Sequence, residues 1–185
     1  MTGDKIRLRP MESTDLNAVH RWLNNPEVMP FWQGRDIPRS REWVREHYTP
    51  SIEGMGSTRC FIIEPNNGET DYGPIGFVQG TRHPSEDGVA RVAELDIMIG
   101  ESSHWSQGYG TDVVRTFLGH MFNDWKVHRV FLVTLAFNAR AIHCYKKAGL
   151  EREGVLRDAE YLEGRWCDAF IMSILEQEFQ GTQVK

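Results

Sequence analysis

The sequence predicts a mixed α/β (α+β) domain built around one sheet. Two observations carry this. Short apolar runs of strand length alternate along the chain with stretches whose apolar residues recur at helical spacing. Near the middle, a strand-like run, VAELDIMIG, passes through a glycine-bearing turn, GESSHWSQGYGTD, into a helix-like run, VVRTFLGHMF. A chain of 185 residues can bury one real core, so residues 1–185 are expected to form a single domain. No internal repeat, low-complexity tract or linker divides them.

The elements follow in order. KIRLRP alternates and predicts a short strand closed by Pro10. STDLNAVHRWLNN predicts a helix capped by Ser13 or Thr14, with Leu16, Val19, His20 and Leu23 on one face. Pro26 and Pro30 bracket a loop carrying FWQG, and a second helix is expected from Pro38 to His47. RCFIIE and GPIGFVQG predict neighbouring strands joined by PNNGETDYG. After the turn HPSEDG, VARVAELDIMIG is a long strand. A helix is expected from Tyr109 to Asp124, then a buried strand, RVFLVTL, and a helix, NARAIHCYKKAGL, ended at Gly149. Strands near Glu153–Leu156 and Cys167–Leu175 close the chain, with RDAEYLEGRW between them as a hairpin or an active-site loop.

Composition narrows the function classes. The net charge of −5 argues against a general nucleic-acid footprint and is compatible with a cationic small-molecule substrate. No apolar run reaches the length of a membrane span, and MTGDKIRLRP lacks a signal pattern, which predicts a cytoplasmic protein. Cys60, Cys144 and Cys167 are scattered, with neither metal spacing nor a disulfide framework, as expected in a reducing compartment.

The glycine turn excludes two nucleotide templates. No Gly-Lys-Ser/Thr occurs, so there is no P-loop, and Val113 stands where a Rossmann turn needs its third glycine. Gly108 and Gly110 permit positive φ and a close backbone approach, and the amides from Gln107 to Thr111 can face an anion at a helix N-terminus. Downstream, Asn138 caps a helix that places Ala141, Ile142 and Tyr145 on one side.

The two stretches together resemble the GNAT superfamily of N-acetyltransferases. WSQGYGTD is similar to its pyrophosphate loop, [QR]-x-x-G-x-[GA], and NARAIHCYKKAGL to its next motif, N-x-x-A-I-x-x-Y-x-K-x-G-[FL]. The resemblance implies one GNAT domain with a twisted, mostly antiparallel sheet of about seven strands and about four helices. It implies acetyl-CoA in the splay between the fourth and fifth strands, and no metal. The turn residues Trp105, Ser106, Gln107, Gly108, Tyr109, Gly110 and Thr111 would hold the pyrophosphate. Asn138 and Ala141 would meet the pantetheine, and Tyr145 the departing thiolate. Trp105 departs from the Gln or Arg of many members. It is familiar in the branch resembling ribosomal-protein N-terminal and polyamine acetyltransferases.

Acyl transfer to an amine needs a base. In VAELDIMIG, Leu95, Ile97 and Ile99 share one face, and Glu94, Asp96 and Met98 the other, with the two carboxylates about 7 Å apart. Together they could bind a cationic substrate and share the base role, and their repulsion would raise one apparent pKa toward neutrality. His83, His104 and His143 are alternative bases. A backbone amide near Met98 or Ile99 would polarise the thioester carbonyl.

A wider resemblance, from Leu8 to Leu175, points to aminoglycoside 6′-N-acetyltransferases through WLNNPEVMPFWQGRD, REHYTPS, GPIGFVQG and LDIMIGESSHWSQGYGT. It implies Asp96 as general base and Phe31, Trp32, Tyr48 and Gln79 as lining of the acceptor pocket. The residues alone equally fit Phe31 and Trp32 stapling the first helix to the core. A pocket aspartate after the fifth strand is replaced by Val133 and Thr134, and the tail looks more like the ribosomal-protein and spermidine branch. Asp168 could face the pocket instead. The expected partner is a small polycationic amine. Polyamine or protein N-terminal acetylation and a non-catalytic acetyl-CoA sensor are the rivals, and the chain is expected as a monomer or homodimer.

Overall fold

A computed structural model of the chain describes residues 1–32, 37–66 and 73–183, with side chains through residue 179. Gln33 and Gly34 of the FWQG loop, and positions 67–72 of the PNNGETDYG turn, lie outside the described residues. Seven strands form one sheet: β1 (Ile6–Pro10), β2 (Thr58–Pro65), β3 (Gly76–Pro84), β4 (Ala90–Ile99), β5 (Arg129–Leu135), β6 (Glu151–Leu162) and β7 (Arg165–Leu175). Their spatial order is β1-β2-β3-β4-β5-β7-β6. Every neighbouring pair is antiparallel except β4 and β5.

That exception makes the site. The parallel ladder joins only Val92–Glu94 to Arg129–Phe131. Beyond it β4 stays paired with β3 as far as Gly76↔Ile99, and β5 with β7 as far as Leu135↔Ala169. Each strand keeps its outer partner while the two inner edges part.

The helices are α1 (Leu16–Leu23), α2 (Arg41–Ile52), α3 (Tyr109–Asn123), α4 (Ala139–Lys147) and α5 (Glu176–Gln183). They cover both faces of the sheet. Ile63, Ala93, Leu95 and Leu132 pack with Phe117, Met121 and Tyr145 of α3 and α4. On the other face, Phe77 and Met98 pack with Val19, Trp22, Val44 and Tyr48 of α1 and α2. The alternation expected for β4 therefore holds, and it turns Asp96 toward the α1–α2 side with Met98.

Several boundaries differ from expectation. Neither Ser13 nor Thr14 caps the first helical segment. Glu12 does, and Asp15 reaches back to the Glu12 amide. Asp15 is buried beside Arg9, Nη1 to Oδ2 being 2.7 Å, which holds its carboxyl below the ordinary range despite burial. Trp22, not His20, completes the buried stripe of α1. The turn at Gly100 passes directly over that indole: a Cβ there would lie 2.1 Å from it. The second helix starts after Ser40, whose Oγ accepts the Trp43 amide, and runs on through Pro50. RDAEYLEGRW is a hairpin, with β6 and β7 reaching Leu162 and Arg165. The fifth helix, not expected, anchors through Phe179, whose ring lies 5.2 Å from Phe122.

Candidate active site

The parted strands open a cleft of about 1110 Å³, room for a cofactor and an acceptor together. Four groups of elements line it: α2 with the preceding loop, β3 and β4 with the glycine turn, α4 with β5, and the β6–β7 hairpin.

At the turn, Gly108 is the N-cap of α3 with φ of +89°, a left-handed conformation that glycine adopts without strain. It has no side chain with which to cap the helix, so the first-turn amides of Tyr109, Gly110 and Thr111 lack an intrahelical partner and suit an anion. Ser106, Gly108, Gly110 and Thr111 line the cleft. Gln107 is exposed, its carbonyl accepting from Lys5 Nζ at 2.9 Å, and the Tyr109 ring packs 5.5 Å from His104; neither side chain forms the lining. Trp105 does, and its Nε1 donates to the Ile99 carbonyl at 2.8 Å. That carbonyl faces away from β3. In a strand the N–H and C=O of one residue point to the same side, so the Ile99 amide faces the gap, whereas Met98 pairs with Phe77 of β3.

Across the gap, Asn138 caps α4 by accepting the Ala141 amide at 3.2 Å. Ala141 and Tyr145 line the cleft from this helix. Tyr145 is buried, and burial, with Cys144 and Asp96 nearby, pushes its phenol well above the ordinary range. It stays protonated at physiological pH and can donate.

Asp96 lies on the cleft wall, half-buried. Burial raises its carboxyl to about 6, Gln79 pulls it down and Glu94 pushes it up. Gln79 Nε2 donates to Asp96 Oδ2 at 3.1 Å, and Cys60 Sγ lies 3.6 Å from Gln79 Oε1, which orients the amide. Glu94 itself lies outside the lining, 3.6 Å from His83 Nε2. The two carboxylates are placed on one face as expected, but only Asp96 reaches the cleft. Of the alternative histidines, His104 and His143 line it and His83 does not.

The α1–α2 side of the cleft is aromatic. Phe31, Trp32, Tyr48 and Gln79, expected to line an acceptor pocket, all line the cleft. Trp32 and Tyr48 meet Phe77 edge-on at 5.4 and 5.6 Å, so both bind the core and face the cleft. Phe31 is 37% exposed and packs against Trp105 and Phe137. Asp168 is not in the lining; its Oδ1 accepts the Asp158 amide at 3.0 Å and serves the hairpin bulge. Leu156, Ala159 and Glu160 of the hairpin line the cleft instead.

Sequence reasoning missed Arg39, Trp43, His47 and Arg140. Arg39 sits 4.3 Å over the Trp43 ring, which stacks on His47 at 4.5 Å. Arg140 lies 3.7 Å over Trp105. Trp43 and His47 are spaced i, i+4 just before Tyr48, the available signal for one aromatic helix face. Among the described residues no group of three His, Cys, Asp or Glu side chains is placed to hold a metal.

Residues 5–151 match the family model for the acetyltransferase (GNAT) domain. The chain belongs to the GNAT acetyltransferase family. This GNAT chain is 32% identical over 162 residues to the aminoglycoside N(6′)-acetyltransferase type 1 of Klebsiella pneumoniae, covering 84% of this chain and 78% of the relative. It is 26% identical over 177 residues to the spermidine N(1)-acetyltransferase of Vibrio cholerae, covering 96% of each. Solved structures agree. The V. cholerae spermidine N-acetyltransferase in complex with CoA and spermine superposes with a TM-score of 0.80 at 26% identity, covering 95% of this chain and 98% of that one. An aminoglycoside 6′-acetyltransferase with coenzyme A and kanamycin gives 0.76 at 28%, covering 96% and 99%. The GNAT chain is thus an N-acetyltransferase that uses acetyl-CoA.

Proposed function

We propose that this GNAT enzyme acts as one domain that acetylates a primary amine of a polycationic amino-sugar, as an aminoglycoside 6′-N-acetyltransferase. The observation that carries the reading is Asp96. It is a carboxylate held near 6 on the wall of an aromatic-sided cleft, one short strand segment from the glycine turn. Aromatic faces such as Trp32, Trp43 and Tyr48 stack on sugar rings, and a carboxylate among them selects an ammonium.

The amides that follow Gln107 would hold the pyrophosphate of acetyl-CoA in the gap between β4 and β5, and Asn138 and Ala141 its pantetheine. Acetyl-CoA supplies the activated thioester. Ionised Asp96 takes one proton from the acceptor ammonium, and the neutral amine attacks the thioester carbon. The Ile99 amide stabilises the developing oxyanion. The Tyr145 phenol gives its proton to the departing sulfur and regains one from the acylated nitrogen. Glu94 acts through Asp96, by repulsion, rather than on the substrate. The three free cysteines fit a reducing, cytoplasmic setting.

Polyamine acetylation is the second reading, favoured by the TM-score of 0.80 to the spermidine enzyme. CoA release measured with kanamycin, tobramycin, spermidine and an alanyl peptide separates the two. Higher kcat/KM for the aminoglycosides is expected. Turnover of spermidine alone would contradict the amino-sugar reading.

A further inference from the structure

The Trp105 indole makes one hydrogen bond, and its choice of partner is informative. Nε1 donates to the carbonyl of Ile99, the residue whose amide faces the gap. In an extended strand the N–H and C=O of one residue point to the same side. Left bare, this carbonyl would set the negative end of its dipole beside the developing oxyanion, in a cleft where such fields are poorly screened. The indole N–H covers it. Ile99 also ends β4, and the ladder to β3 stops there, at Gly76↔Ile99. The peptide that follows is instead held at both of its polar ends: the Gly100 N–H donates to the Ile75 carbonyl at 2.8 Å, and the Ile99 carbonyl accepts from Trp105, also at 2.8 Å.

The indole is itself clamped. Arg140, on α4 across the gap, places its Cζ 3.7 Å over the ring, and Phe31 meets the ring edge-on at 6.3 Å. A cation over an indole draws electron density from it and leaves its N–H a stronger donor. We propose that Trp105 is a positioning residue for acetyl transfer. Its N–H fixes the Ile99 peptide so that the Ile99 amide points at the thioester oxygen, and it offsets the opposing Ile99 carbonyl. The inference rests on the Ile99 oxyanion donor given under the proposed function.

A half-buried indole also packs, and Trp105 adjoins the apolar cluster beneath α1 and α2. Two substitutions separate the N–H from the bulk. Trp105→Phe keeps an aromatic ring and loses the donor. Trp105→His loses the outer ring and keeps a ring N–H at the same reach, because imidazole overlays the five-membered half of indole. Infrared difference spectra of acetyl-CoA, isotopically labelled at its carbonyl carbon and bound to the whole enzyme without acceptor, read the polarisation of the thioester directly. In the wild type the carbonyl stretch should lie below that of free acetyl-CoA. Trp105→Phe should give back most of that lowering and lose about tenfold in kcat, the size of one hydrogen bond. Its KM for acetyl-CoA should stay within about twofold, and the Asp96 limb of its pH profile should not move, since the missing bond acts on the transition state and not on binding or on the base. Trp105→His should keep most of the lowering and more of the kcat than Trp105→Phe. A His variant that is the less active of the two, or a Phe variant with the wild-type spectrum and kcat, overturns the role of Trp105 and leaves the Ile99 donor standing. A wild type whose bound carbonyl stretch matches free acetyl-CoA overturns the Ile99 donor and this inference with it.

Discussion

Replacing Asp96 by Asn should make the enzyme less active and more stable, and the second effect has a calculable pH dependence. Burial lifts the Asp96 carboxyl from 3.8 to about 6. The raised value means that the folded state disfavours the carboxylate. Asp96 therefore contributes nothing unfavourable below about pH 4, where it is protonated in both states. Its unfavourable contribution grows as pH rises toward 6 and is constant above. At 1.36 kcal/mol per unit, a rise of about two units is a penalty of about 3 kcal/mol at pH 7. Asn removes the charge and keeps an acceptor for the Gln79 amide, so the penalty goes without a lost contact. A gain of about 3 kcal/mol in a chain of this size should raise Tm by about 5–10 °C at pH 7.5 and by little at pH 4. Thermal melts of both proteins across this range are the assay. An Asn variant that melts at or below the wild type at pH 7.5 would refute the reasoning, because Asp96 would then be stabilised as a carboxylate. The same substitution should cut kcat by about 10²-fold or more while leaving acetyl-CoA affinity unchanged.

Other outcomes follow from the same geometry. In the wild type, kcat/KM should rise with pH through about 6 as Asp96 ionises, a limb that a pH–rate profile reads directly. Gln79→Leu removes the hydrogen bond that lowers Asp96, so that limb should move up by about one unit. Tyr145→Phe keeps the buried ring but loses the proton donor; kcat should fall about 10²-fold with coenzyme affinity unchanged by calorimetry. Gly108→Ala places a Cβ at φ of +89°, a strain of about 1–2 kcal/mol, so coenzyme binding should weaken about tenfold or more as the turn relaxes.

Much of this architecture is legible in the residues, and the reasons are specific. β4 alternates cleanly because one face packs on α3 and α4 and the other on α1 and α2; reading the period places Asp96 on the face it shares with Glu94 and Met98, opposite Leu95. Asn138 and Gly108 are legible because caps and turns demand particular residue types, whereas Gly110 lies within α3 without a positive φ and is small because α4 passes close by, a Cβ there lying 3.3 Å from Cys144 Sγ. The closing hairpin is less so. Its β6 strand is exposed along most of its length, so no apolar alternation marks where it begins or bends. The α5 helix depends on a single apolar anchor, Phe179, too little for a period. Trp22 rather than His20 is buried because its indole packs under Gly100 and donates to Glu101, contacts distant in sequence. For the same reason Asp168 is drawn to a bulge amide rather than to the cleft. The aromatic face of α2 carrying Trp43 and His47 is interrupted by Arg45, Glu46 and other charged residues of the helix, so its i, i+4 signal is easily passed over.

Acceptor choice is the central claim, and competition tests it most directly. Kanamycin and spermidine at equal concentration would share a limiting supply of acetyl-CoA, with the products resolved by mass spectrometry and NMR. The account predicts kanamycin carrying one acetyl group on its 6′ amine as the dominant product. Acetylspermidine as the dominant product, with kanamycin recovered unchanged, would contradict it.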